Sequence, residues 1–209
     1  MMLTTVLFLS LLALLWGPGS ATGAQLDPLR EQEPVGFSRE SPAPLPRQVP
    51  AETPPADTSM RLSVPEMKRV RDVPVETAPA SEEAALRDGA LHVEGTGFPW
   101  ERGSNVYIAG HRLGFPGTRS HLIFWDLPAL EKGDRVILED SRGRTYEYAV
   151  FRELVVSSQE VRVTKPVPGK SVVSLQTCTV PDYVKRLVVQ AELVAHDDPS
   201  GGFGLPGAW

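Results

Sequence analysis

Cysteine is almost absent: Cys178 stands alone among 209 residues. That excludes an intramolecular disulfide framework, which needs cysteines in pairs, and leaves one thiol to be accounted for. Excess positive charge is absent too. The chain has 21 Lys and Arg against 26 Asp and Glu, a formal net charge of −5, so its overall balance gives no electrostatic reason to invoke nucleic acid. The spacings that build metal sites are missing as well. His92, His111, His121 and His196 form no His-x-x-x-His pair, and Cys178 has no Cys-x-x-Cys neighbour, which argues against a zinc hydrolase. No dense acidic loop suggests calcium. No metal and no cofactor are expected, and no internal repeat is present.

What is there divides the chain into four segments. Residues 6–16 are apolar except for Ser10, and small residues follow to Ala24. This run is shorter than the roughly 20 residues of a spanning helix and matches the core of a secretory signal. Residues 1–24 are therefore expected to be an export segment, either a signal cleaved after Ala24 or a membrane anchor, since residues 1–5 carry no Lys or Arg. Residues 25–60 hold eight of the 20 prolines, no Trp or Tyr and one Phe. That composition predicts an extended, disordered tether standing a domain off from a membrane or wall layer. Residues 61–196 are expected to be the folded domain, and 197–209, rich in Gly and Pro, a flexible tail. The protein is expected outside the cytoplasm, secreted or held to the membrane through its N-terminus.

Within the domain, short runs rich in β-branched and aromatic residues alternate with turn signals, the pattern of an all-β barrel or sandwich. Strands are expected at 61–64, 105–109, 135–139, 145–150, 161–163, 171–177 and 186–195. Turns are expected at Lys132-Gly133-Asp134 and at Ser141-Arg142-Gly143, the second closing an antiparallel hairpin. Ser81, the acidic pair Glu82 and Glu83, and Gly89 mark the start and stop of one short helix. Residues 127–130 suggest a second.

Three residues invite a chemical reading. Cys178 ends the run 171–178 just before a loop containing Pro181, so its thiol is expected at a strand mouth, where a nucleophile has fixed direction and open access. A buried, inert core cysteine is the other reading of the same residue. A thiol becomes a good nucleophile beside a histidine or a cation. His111 follows the strand 105–109 directly after Gly110, a small residue that leaves space. Arg186 opens the last strand eight positions after Cys178, so a loop can return it to the cysteine's side. Taken singly, His111 reads as structural and Arg186 as a surface cation. Chain order excludes papain-like enzymes, in which His lies far downstream of Cys, and the caspase signature Gln-Ala-Cys does not occur here.

Tyr107-Ile108-Ala109-Gly110-His111-Arg112, Ser174-Leu175-Gln176-Thr177-Cys178 and Arg186-Leu187-Val188-Val189 together resemble the sortase family, over about residues 62–194. The stretch 91–99 also resembles the segment before the sortase histidine strand. The resemblance implies an eight-stranded β-barrel with one or two short helices. It implies cleavage of a C-terminal sorting signal of the Leu-Pro-x-Thr-Gly kind between Thr and Gly, followed by transfer of the threonine to an amine. By motif position Cys178 is the nucleophile, Arg186 the oxyanion stabiliser and His111 the general acid and base. Thr177, Ala109 and Gly110 are the expected substrate-binding residues, Thr177 by shaping the site. The implied partners are surface proteins bearing sorting signals and a peptidoglycan precursor or other amine acceptor. Ser174 stands where the family usually has Thr. The surroundings of Cys178 look like the class E type, which prefers Ala at the second signal position. A secreted, non-enzymatic barrel binding wall peptide or glycan is the alternative.

Overall fold

A computed structural model describes residues 53–199. The expected export segment, residues 25–52 of the expected tether and most of the expected tail lie outside the described residues. Eight strands run in chain order: β1 Met60–Ser63, β2 Val73–Ala78, β3 Ala90–Val93, β4 Asn105–Ala109, β5 Arg135–Asp140, β6 Thr145–Ser157, β7 Val172–Cys178 and β8 Lys185–Asp197. They close in the order β1-β2-β3-β4-β7-β8-β6-β5. Closure leaves no unpaired sheet edge around the barrel wall. Single 3₁₀ turns at Glu83–Leu86, Leu127–Ala129 and Val161–Thr164 are the only helical elements among the described residues. None of these is long and apolar enough to cross a membrane.

Period-two alternation fills the interior. Val106 and Ile108 of β4, Val173 and Leu175 of β7, and Leu187, Val189 and Ala191 of β8 are all buried, because successive strand residues face opposite sides of the sheet. Tyr146, Tyr148 and Phe124 add the largest buried rings. Burial pushes the Tyr148 hydroxyl pKa far up. The hairpin expected at Ser141-Arg142-Gly143 is present: β5 and β6 pair antiparallel, and Gly143 takes a positive φ of 77°. At its base the buried carboxylate of Asp140 accepts from Arg144 Nε (2.6 Å) and from the backbone amides of Arg142 (2.9 Å) and Arg144 (3.1 Å).

Several expectations are corrected. Residues 161–163 form a 3₁₀ turn, not a strand. Their β-branched side chains favour extension, but β6 and β8 already pair with each other and β7 lies between β4 and β8, so no strand is free to receive them. Locally, the Glu160 side chain accepts from the Arg162 amide (3.1 Å) and caps the turn instead. The short helix near residue 83 is a 3₁₀ turn whose cap position is Glu82, not Ser81, and Glu82 makes no side-chain cap bond. Gly89 does not end that turn. It permits close approach, since a Cβ there would lie 2.1 Å from the Pro74 carbonyl oxygen where β3 begins beside β2. β2 and β3 were not expected as strands: β2 contains Pro74, and β3 is only four residues long. β6 and β8 each reach 13 residues.

Residues 53–59, assigned to the tether by composition, run beside the β5–β6 turn. Ser141 Oγ donates to the Asp57 carbonyl (2.6 Å), Arg142 Nη2 to the Pro54 carbonyl (3.1 Å) and Arg144 Nη1 to the Thr53 carbonyl (3.3 Å). Proline lacks an amide donor but keeps its acceptor, so a segment poor in apolar residues can still be fastened through carbonyls.

Candidate active site

Three consecutive strands of the wall, β4, β7 and β8, bring the expected residues together. β4 and β7 are parallel, with Ala109 opposite Gln176, so both chains arrive at the same rim. His111 follows Ala109 by two residues and Cys178 follows Gln176 by two. The two ends are tied to each other: the Gly110 amide donates to the Gln176 carbonyl (2.9 Å), and the buried Thr177 hydroxyl donates to the Gly110 carbonyl (2.8 Å). β7 and β8 are antiparallel, and their register sets Cys178 directly opposite Arg186. Directly paired residues point to the same face, so the thiol and guanidinium share the outer side of the wall, while Thr177 points inward.

The β7–β8 connection holds this register. The Thr179 amide donates to the Lys185 carbonyl (3.0 Å) and the Tyr183 amide to the Thr179 carbonyl (3.0 Å). Arg186 Nη1 donates to the carbonyls of Tyr183 (3.0 Å) and Lys185 (3.1 Å), which orients the guanidinium and leaves other N–H donors for a ligand. Cys178 is half-buried and forms no disulfide. Tyr107, buried on β4, donates its hydroxyl to Gln176 Oε1 (3.3 Å). Burial pushes its pKa up to about 12, against an opposing pull from the charge of Arg186.

His111 opens the loop from β4 to the Leu127–Ala129 turn. Its carbonyl accepts from the Phe124 amide (3.1 Å), and its ring meets the edge of Phe115 at 5.3 Å and 90°. Arg87 lies over the other part of that contact, 5.1 Å from the Phe115 ring centre. The space expected beside Gly110 is filled: a Cβ there would be 2.6 Å from the Phe124 ring. Gly110 and Thr177 are buried and Ala109 half-buried, so these three form the frame under the rim. His92, one of the four histidines weighed as zinc ligands, is fully buried. Its Nδ1 lies 3.0 Å from Thr77 Oγ1, and its Nε2 lies 3.0 Å from both the Gly97 carbonyl and Thr96 Oγ1. Burial lowers its pKa.

The model of the Sortase domain family matches residues 62–194. The chain belongs to the sortase family. Its curated relatives include the Sortase A of Streptococcus agalactiae serotype III (strain NEM316), 37% identical over 91 residues, 43% of this chain and 36% of that one. The Sortase A of Bacillus anthracis is 33% identical over 135 residues, 64% of this chain and 59% of that one. The chain thus spans less than two thirds of the length of either relative. Among solved structures, Sortase A from Corynebacterium diphtheriae is similar with a TM-score of 0.58 and 25% identity, over 69% of this chain and 63% of that one. The group B Streptococcus Pilus Island 1 sortase C2 gives 0.57 and 28%, over 65% and 73%. The closed eight-stranded barrel is the sortase fold.

In this sortase, sequence reading missed a polar chain on the outer face of the wall, buried at Asn105, Ser174 and Gln190 on β4, β7 and β8 and ending at exposed Arg152 on β6. Arg152 Nε donates to Gln190 Oε1 (2.6 Å), Gln190 Nε2 to Ser174 Oγ (2.8 Å) and the Ser174 hydroxyl to Asn105 Oδ1 (2.7 Å). Asn105 Nδ2 then donates to the carbonyls of Val163 (2.9 Å) and Lys165 (3.0 Å). This chain seats the β6–β7 connection against the wall that carries Cys178. The signal in sequence was an Asn, a Ser and a Gln within strand runs. Strand polar residues ordinarily face water, and the spacing does not reveal which of them another segment covers.

Proposed function

We propose that this sortase is a cysteine transpeptidase with Cys178 as nucleophile, His111 as general acid and base, and Arg186 as oxyanion stabiliser. The observation that carries the reading is the register of β4, β7 and β8, with Cys178 opposite Arg186 and His111 at the adjoining strand end. In the first half-reaction the Cys178 sulfur attacks the carbonyl carbon of the signal threonine, and the new oxyanion is met by N–H groups of Arg186. Collapse breaks the Thr–Gly bond, and His111 gives its proton to the leaving glycine amine. In the second, His111 takes a proton from an incoming amine, which attacks the thioester and releases Cys178. Thr177, Gly110 and Ala109 shape the substrate site by fixing the two strand ends.

The substrates we infer are surface proteins with a C-terminal signal of the Leu-Pro-x-Thr-Gly kind, or Leu-Ala-x-Thr-Gly if the class E likeness extends to specificity. The acceptor is an amine on a peptidoglycan precursor or a pilin. The catalytic domain covers 61–196, carried outside the cytoplasm on a spacer over 25–60 behind an export segment at 1–24, with 197–209 a tail. No cofactor enters the chemistry. The test is to incubate the chain with quenched peptides bearing each signal, with and without an added amine. Cleavage after threonine with an amine-linked product, lost in Cys178→Ala, supports the reading. No turnover of either peptide favours a binding barrel.

A further inference from the structure

One concavity carries a charge opposite to that of the chain as a whole, and its lining includes none of Cys178, Arg186 and His111. Arg61, Arg69, Arg71, Arg119 and His121 line it, and Asp72 is the only carboxylate in its wall. The protein is net negative by five charges, so convergence of four guanidiniums here runs against its average composition. All four cations are arginine. Arginine presents a planar fork of donors matched to phosphate or carboxylate oxygens, whereas lysine offers a point charge.

Arg61 is on β1, and both loops that supply the others are anchored from below. In the β1–β2 loop Val64, Met67 and Val70 are buried, and the Val64 amide donates to the Val70 carbonyl (2.8 Å). Arg69 and Arg71 flank buried Val70 and so are turned outward. In the loop after β4, Ser120 is fully buried between Arg119 and His121, its hydroxyl 2.8 Å from Thr118 Oγ1. Arg69 Nη1 bridges the two loops by pairing with Asp126 Oδ2 (3.3 Å). The anchoring leaves donors over, since each guanidinium has five. Arg61 engages Asp72 through Nε and Nη2, and Arg71 engages the Pro65 carbonyl through Nη2. Four guanidiniums face three carboxylates, Asp72, Asp126 and Glu139, the last opposite Arg61 across β1 and β5, and one positive charge remains over.

We propose that this concavity binds two or more phosphate groups at once, either linked in one soluble anion or arrayed as neighbouring headgroups on a lipid surface. The cations are spread over β1 and two loops, which suits a ligand with more than one anionic centre. The loop bearing Arg119 and His121 also begins with His111, so ligand and candidate active site share one loop.

Two probes separate the sources: inorganic tripolyphosphate, followed by titration calorimetry with the full chain in 50 mM salt, and flotation with vesicles of phosphatidylglycerol and phosphatidylcholine against phosphatidylcholine alone. The variant is Arg71→Gln combined with Arg119→Gln. Arg135→Gln, on β5 and paired with Glu147, is the reference, and circular dichroism checks that both are folded. Tripolyphosphate binding weakened at least tenfold in the double variant, unchanged in Arg135→Gln and reduced by 0.5 M salt is expected. Flotation with the anionic vesicles alone, lost in the double variant, assigns the headgroup source. Tripolyphosphate binding without flotation assigns the soluble one. Failure of both probes, or binding that the double variant leaves intact, overturns the proposal. Neither readout depends on peptide cleavage, so the result stands apart from the fate of the transpeptidase reading.

Discussion

At the scale of single residues, the frame beneath the rim is built from groups with little freedom. Gly110 has no room for a side chain beside the Phe124 ring. Gly110→Ala is therefore expected to displace that ring or the strand end, with a stability loss of about 1–3 kcal/mol in urea titration and a fall in turnover of the signal peptide. Thr177→Val keeps the shape but leaves the Gly110 carbonyl without its 2.8 Å donor. A loss of about 1–3 kcal/mol is expected in the same titration. His92 gives a pH signature. Its ordinary value is 6.5, and burial lowers it in the folded protein. Below 6.5 the unfolded chain takes up a proton that the folded chain refuses, so stability falls as pH drops through that window. Urea midpoints should decline from pH 7 toward pH 5, and His92→Gln should flatten part of that decline. An unchanged slope would show that another group is responsible.

At the scale of elements, the hairpin base and the outer-face polar chain carry the largest single dependencies. Asp140 receives the buried Arg144 guanidinium and two backbone amides. Asp140→Ala leaves that cation buried without its carboxylate, and a loss of roughly 3–5 kcal/mol is expected on thermal or urea unfolding. The element scale also shows what the sequence could reveal. β4 was legible to the residue and β5 and β7 to within a residue at either end, because Val, Ile and Leu alternate there with polar residues. The hairpin was legible from Gly143. β2 and β3 were not, since β2 contains a proline and Ala90, Leu91 and His92 of β3 are buried in succession, so no alternation marks it. The outer half of β6, from residue 152, pairs only with β8 and shows no clean alternation. The turn at Val161–Thr164 reads as a strand until the pairing of its neighbours is known. For the candidate site, the three residue types and their strand ends were visible in sequence. Phe124 and the Asn105–Ser174–Gln190 chain were not, because their contacts join separated segments, and Phe115, only four residues from His111, lies in a loop with no periodic signal.

At the scale of the whole molecule, the closed barrel puts all the candidate chemistry on three adjacent strands and leaves the β1–β2 and β5–β6 sides for other contacts. Residues 53–59 use one of these, through acceptors for Ser141, Arg142 and Arg144. A chain begun at Met60 is expected to melt about 3–6 °C below the full chain in a thermal scan, the equivalent of about 1–2 kcal/mol. Equal melting points would mean that this segment adds nothing to the barrel. The central claim concerns the thiol that faces Arg186. Intact-mass spectrometry of the chain mixed with a signal peptide, without any amine, tests it most directly. The account predicts a mass gain equal to the peptide up to its threonine, located on Cys178, released by an added amine and absent in Cys178→Ala. A folded protein that gains no mass from either signal peptide, or gains it equally in Cys178→Ala, would contradict the account.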